Sequence, residues 1–244
     1  MKVYQTPYGI YHLPVVSLER LEDGVGMAEM MGKSQYRREL AANSLCFADV
    51  LQRLISIKRI KTVIDPLCGT GLWGMICRRV LGDGVGHHFS DLSPDSVLAA
   101  QYNLPGLPVV VADANTILRE FQRDKEALIL LDFNNFTIGK LQGNWMGDLL
   151  RAALDWGCPV IFTDVAIFAF RYGRPVYQAT TIEDYFKIAM PAAGINPTTV
   201  KLHRGAGVVL TGVSGDIQVS WMGDETPSLQ FFKEVKANSF GLIR

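Results

Sequence analysis

"VIDPLCGTGLWG", residues 63–74, runs from an apolar stretch into Asp65 and then sets Gly69, Gly71 and Gly74 within six residues. A hydrophobic run that stops at an aspartate and turns through glycines reads as a strand, a tight turn and then a helix, "GLWGMICRRVL" (71–81). Glycines at such a turn allow backbone conformations that side chains oppose, and they let the main chain come close to another group. What comes close is narrowed by what the turn lacks. No GK[ST] follows, so this is not a P-loop, and an aspartate at the entrance repels phosphate while it attracts a cation or hydroxyls. The stretch reads as a seat for a ligand with a positive amino group.

Working outward, the apolar runs "KTVID" (61–65), "GHHFSD" (86–91), "PVVVAD" (108–113), "ALILLD" (127–132) and "PVIFTD" (159–164) each end in aspartate. Helical patterns lie between and after them at 71–81, 93–103, 115–124, 145–157 and 181–194. A helix from Ser34, "SQYRRELAANSLCFADVLQRLISI", precedes them. Alternating helices and short apolar strands predict a parallel sheet covered on both faces. Two last strands, "GVVLTG" (207–212) and "IQVSWM" (217–222), flank Gly215 and Asp216, which suit a hairpin turn. The expected fold is therefore α/β: a three-layer, Rossmann-like, seven-stranded sheet, mostly parallel, closed by an antiparallel C-terminal hairpin strand.

Ligands of such sheets bind outside the carboxyl ends of the strands, at the switch in strand order. Asp65, Asp91, Asp113, Asp132 and Asp164 all stand along that edge. Each also suits a turn or a helix cap on its own.

The 48% hydrophobic and 20% charged composition is that of a globular protein, and a net charge of +0 excludes a dedicated nucleic-acid-coating protein. Arg37, Arg38, Arg53, Lys58, Arg59 and Lys61 crowd one segment, more often a solvated helix face than a binding patch. Cys46, Cys68, Cys77 and Cys158 form no CxxC pair and have no histidine at metal spacing, so neither a metal site nor a disulfide framework is expected. With no signal-like N-terminal segment and no run of 18 apolar residues, the chain reads as cytoplasmic, without a membrane partner.

"DPLCGTG" resembles motif I of class I S-adenosylmethionine-dependent methyltransferases, in the form common among enzymes that act on nucleic acids. The resemblance extends through the order of elements over roughly residues 34–222. It implies S-adenosyl-L-methionine as cofactor, with Asp65, Pro66, Cys68, Gly69 and Gly71 along its methionine part. It implies Asp91, with Leu92 beside it, at the ribose hydroxyls, and Asp113 and Ala114 of "ADAN" at the adenine. "SDLSPDSVLAAQYN" is similar to the second motif of tRNA guanine-N2 dimethyltransferases and related RNA enzymes.

In amino-methylating relatives the fourth strand ends in [DNS]-P-P-[YF]; here "LLDFNNFTIGK" keeps Asp132 and the aromatics Phe133 and Phe136 but neither proline. Asp132, with Asn134 or Asn135, could orient or deprotonate an amine or hydroxyl, and Phe136 could stack on a base or belong to the core. Alternatively the position is degenerate and the chain is a non-catalytic cofactor-binding subunit. No Pro-Cys lies here, which disfavours a cytosine-C5 enzyme. Further on, "DVAIFAFRYGRPVYQ" (164–178) interleaves aromatics with Arg171 and Arg174, a pattern suited to stacked bases and phosphates or to core and solvated surface.

The expected function is thus a methyltransferase of nucleic-acid amines. A small-molecule or protein methyltransferase, or a non-catalytic member, is the alternative. Residues 1–33 are expected to form an N-terminal lid or contact segment, and 34–244 a methyltransferase-like domain.

Overall fold

The computed structural model describes residues 2–6, 9–13, 47–132, 145–164, 178–195, 198–203, 208–214, 218–222 and 241–243. Asn134, Asn135, Phe136, Arg171 and Arg174 lie outside them, as do Phe133 and the expected helix start at Ser34. In chain order the elements are β1 (Lys2–Thr6), β2 (Gly9–Leu13), α1 (47–55), β3 (Thr62–Asp65), α2 (Leu72–Leu81), β4 (Gly86–Asp91), α3 (Pro94–Asn103), β5 (Val109–Val111) and α4 (Ala114–Glu120). There follow β6 (Ala127–Leu131), α5 (Trp145–Leu154), β7 (Val160–Thr163), α6 (Ile182–Ala192), β8 (Thr198–His203), β9 (Val208–Ser214), β10 (Gln218–Met222) and β11 (Gly241–Ile243).

Eight strands form the main sheet in the order β10-β8-β9-β7-β6-β3-β4-β5. β3 lies between β4 and β6, and the pairs β3–β4, β4–β5, β3–β6 and β6–β7 are all parallel. The chain winds outward from β3 to β5, returns to β6 beside β3, and continues the other way. The β3/β6 boundary is therefore the switch point of a doubly wound sheet, where a crevice opens at the carboxyl ends.

Alternation along the strands divides the core between the two faces. Val63, Phe89, Leu128, Leu130 and Ile161 pack with Phe47, Leu51, Trp73 and Ile76 from α1 and α2, together with Ala100 from α3. Ile64, Ile129, Leu131, Val160 and Phe162 pack with Ile117, Leu149, Leu150, Phe186 and Met190 from α4, α5 and α6. Strands β6 and β7 are buried along their whole length, as central parallel strands with helices on both sides must be.

Two expectations are corrected. Among the described residues the sheet has eight strands rather than seven, because "TTVKLH" (198–203) is itself a strand. Its polar and apolar residues alternate, a weaker signal than the apolar runs before it. The segments 207–212 and 217–222 do not form a hairpin either. β9 pairs antiparallel with β7 and β8, whereas β10 lies on the far side of β8 and pairs with it in parallel. The C-terminal antiparallel pair is β8–β9, one strand earlier than the turn residues indicated.

A second, three-stranded antiparallel sheet, β11-β1-β2, is not hydrogen-bonded into the main one, but its Tyr11 packs into the core beside Trp73 and Leu104. Among the described residues, no helix is long and apolar enough to cross a membrane.

Candidate functional site

The site begins where β3 stops. Asp65 is 1% exposed, and its Oδ1 accepts a 3.3 Å hydrogen bond from the Leu67 N–H. Burial holds its carboxyl well above the usual carboxylate range; the negative charges of Asp132 and Asp91 push the same way, and the Leu67 amide only partly opposes them. Asp65 thus lies close enough to Asp132 and Asp91, at the switch point of the sheet, to feel both charges.

Gly69, Gly71 and Gly74 follow one another as G-x-G-x-x-G, and each has its own duty. Gly69 (φ +52°) and Gly71 (φ +84°) lie in the left-handed region, where a side chain is strained. Gly71 caps α2 without a side-chain hydrogen bond, and a Cβ there would come within 3.0 Å of Leu104. Gly74 lets α2 close on β4, since its Cβ would lie 3.0 Å from the Phe89 ring and 2.9 Å from Leu104. The first two glycines shape the turn and the third seats the helix.

Backbone donors of this turn are already engaged. The Gly69 N–H donates to Asp91 Oδ2 at 2.9 Å, Gly71 N–H to the Cys68 carbonyl at 2.8 Å, and Cys68 N–H to the Ser90 carbonyl at 2.9 Å. These three amides tie the turn to the end of β4 and to itself rather than to a ligand. The spacing is that of a dinucleotide fingerprint, but the buried acid beside it disfavours a pyrophosphate.

Asp91, at the end of β4, ties two loops together. Its second oxygen accepts from the Ser93 N–H at 2.8 Å, at the entrance to α3. Each carboxylate oxygen has two acceptor sites, so both can take a further donor from a ligand hydroxyl. Leu92 beside it is 71% exposed. Asp113 follows β5 and caps α4, accepting from Thr116 N–H at 3.1 Å, while Ala114 behind it is buried. Pro66 and Cys68 are buried within the turn. Burial, with Asp65 and Asp91 nearby, drives the Cys68 thiol far above its ordinary range and keeps it protonated.

Asp132 follows β6 and is partly exposed; the Thr163 hydroxyl donates to its Oδ1 at 2.9 Å. Asp164, fully buried at the end of β7, accepts from the Tyr185 hydroxyl at 2.8 Å. Of the five strand-end aspartates, Asp65, Asp91 and Asp132 converge, Asp113 caps a helix, and Asp164 joins β7 to α6.

Three contributors had no clear signal in the sequence. Thr163 was visible only as the residue before an expected strand-end aspartate. Tyr11 and Asn103 reach the Gly-rich turn from β2 and from the last position of α3, contacts that no local pattern encodes.

No family model matches the chain, and no curated protein does. Among solved structures, it is similar to a SAM-dependent O-methyltransferase from Thermotoga maritima, at 14% identity over 48% of this chain and 42% of that one, with a TM-score of 0.36. It is similar to TrmN from Thermus thermophilus at 21% identity over 52% and 40% of the two chains, with a TM-score of 0.39. A putative caffeoyl-CoA O-methyltransferase from Staphylococcus aureus matches at 11% identity over 82% and 97%, with a TM-score of 0.49. The match spans less than half the length of the first two. At these identities and scores the likenesses carry no functional argument.

Proposed function

We infer that the chain is a class I S-adenosylmethionine-dependent methyltransferase, with residues 34–244 as its methyltransferase-like domain. One observation supports the reading: Asp65 feels the charges of Asp132 and Asp91 beside a glycine turn in which the Cys68, Gly69 and Gly71 amides are already engaged. Such a place favours a cation with hydroxyl donors over a phosphate. A Cβ on Gly69 would meet nothing within 4 Å among the described residues, so there is room beside the turn. An aminoacyl nucleoside with a sulfonium group has the matching charges and donors.

In this reading Asp65, Pro66, Cys68, Gly69 and Gly71 hold the amino-acid part, with the Asp65 carboxylate favoured once an ammonium group lies beside it. Asp91 accepts from the ribose hydroxyls while it keeps the turn in shape, with Leu92 alongside. Asp113 and Ala114 flank the adenine. The cofactor, when bound, supplies an electrophilic methyl group. Asp132, steadied by Thr163, orients the acceptor heteroatom and takes its proton, with Asn134, Asn135 and Phe136 as neighbours in the chain. The acceptor proposed is a nucleic-acid base amine, on the form of motif I and on the arginine and aromatic segment with Arg171 and Arg174. The zero net charge favours a second acceptor class, a small molecule or protein.

Calorimetry with S-adenosylmethionine, S-adenosylhomocysteine and NAD is the test. Both methionine-derived ligands are expected to bind and NAD to fail, with Asp91→Ala weakening binding by about tenfold or more through loss of charge-assisted hydrogen bonds. Binding of NAD alone would transfer the glycine spacing to a dinucleotide role and end the methyltransferase reading. If the first outcome holds, methyl transfer to RNA and DNA, compared with Asp132→Ala, decides the acceptor class.

A further inference from the structure

The Gly-rich turn is held from outside as well as by Asp91. Asn103, 6% exposed at the end of α3, donates from Nδ2 to the Thr70 carbonyl at 2.7 Å and to the His12 carbonyl at 2.8 Å. Its Oδ1 accepts from the His12 N–H at 2.6 Å. One amide therefore engages both backbone groups of a β2 residue and the backbone of the turn between Gly69 and Gly71. Next to it the Tyr11 hydroxyl, on a side chain 4% exposed, is hydrogen-bonded to the Thr70 hydroxyl. Tyr11 packs into the cluster that contains Trp73, Met75 and Leu104, the residues behind the turn.

This is more than a helix end needs. The α3 terminus is already closed by the Leu104 N–H, which donates to the Ala100 carbonyl at 2.8 Å. The side chain of Asn103 is thus free to bridge two segments distant in sequence. Gly71 has no side chain with which to cap α2, and its φ is in a region with few internal restraints for glycine. A turn built from such residues loses order readily unless its neighbours fix it.

We propose that Asn103 is a positioning residue of the methyl-donor site, acting with Tyr11 as a latch through which the β11-β1-β2 sheet holds the Gly69–Gly71 turn in its ligand-binding shape. The proposal rests on the methyltransferase reading for the identity of the ligand, but not for the existence of the latch. Because the turn borders the amino-acid part of the ligand, loosening it acts mainly on that part and reaches the nucleoside end only through the Gly69–Asp91 bond.

The experiment uses the full chain with Asn103→Ala and, as a variant that removes one hydroxyl only, Tyr11→Phe. Calorimetry with S-adenosylhomocysteine is paired with methylthioadenosine, which lacks the amino-acid group. Asn103→Ala is expected to weaken S-adenosylhomocysteine by roughly tenfold, about one net hydrogen bond, and methylthioadenosine by less than about twofold. Tyr11→Phe is expected to act in the same direction to a smaller extent. Equal weakening of both ligands, or none, overturns the latch. In parallel, amide hydrogen exchange is followed at Gly69 and Gly71 in the ligand-free proteins, with the amides of β3 and β6 as internal reference. Faster exchange confined to the turn supports the latch even if wild type binds neither ligand, which would refute the methyltransferase reading alone. Unchanged exchange at the turn, or acceleration everywhere, overturns it.

Discussion

Asp65 is a carboxylic acid that the fold prevents from ionising at its ordinary value. Buried, and facing Asp132 and Asp91, it keeps its proton over a range where the unfolded chain has released it. The folded state therefore binds more protons than the unfolded one, and its stability falls as pH rises above the ordinary 3.8 until Asp65 ionises in place. Asp65→Asn keeps an oxygen for the Leu67 N–H and cannot ionise. Its stability advantage over wild type is expected to grow with pH from about 3.8 upward and to level off above the raised pKa of Asp65. Urea unfolding of both proteins across that range measures it; a difference independent of pH would remove the electrostatic account. Such an advantage, joined to loss of ligand binding, is the usual mark of a site residue kept at a cost in stability. The sequence disclosed Asp65 and its glycines plainly, because a strand end and a turn are local. It disclosed nothing of Asn103, whose three hydrogen bonds join segments that meet only after folding.

At the level of elements, the strands that are continuous apolar runs were all legible, and so were the helices between them within a few residues. α4 is shorter than its pattern, ending at Glu120. The errors fall where the pattern alternates. β8, "TTVKLH", has the appearance of a polar linker, and the glycine and aspartate after β9 suggest a hairpin, although β9 and β10 do not pair with each other. Gly212 shows why β9 can enter the sheet at all. Its φ of +132° belongs to glycine, and a Cβ there would lie 2.5 Å from the Cys158 carbonyl oxygen and 3.0 Å from Pro159 Cα. Both neighbours are backbone and have no rotamer by which to yield. Gly212→Ala is expected to destabilise the protein by about 2–4 kcal/mol, combining strain and overpacking. Denaturant titration checks this, and a loss below about 0.5 kcal/mol, the size of an ordinary surface change, would contradict it.

For the molecule as a whole, composition and the alternation of apolar strands with helices along the chain indicated the class of architecture. The order of the strands, the main sheet's extent and the second sheet needed the structure. The reason is distance along the chain. Adjacent parallel strands announce themselves through the helices between them, but β1 and β11 pair across nearly the whole sequence, with Val3 opposite Ile243. No window of sequence contains both. If the latch depends on that sheet, a chain lacking residues 241–244 is expected to keep the circular dichroism of the doubly wound body and to exchange the Gly69 and Gly71 amides faster. Normal protection of the turn in that shortened chain would show that β1 and β2 suffice. The pairing also sets an order of events in the making of the protein. Strand β1 leaves the ribosome well before its neighbour β11, roughly ten seconds or more at ordinary rates of synthesis. During that interval β1 and β2 can pair with each other, but the outer edge of β1 has no neighbour, so its unpaired backbone groups stay open to solvent or to other chains until Gly241–Ile243 arrives.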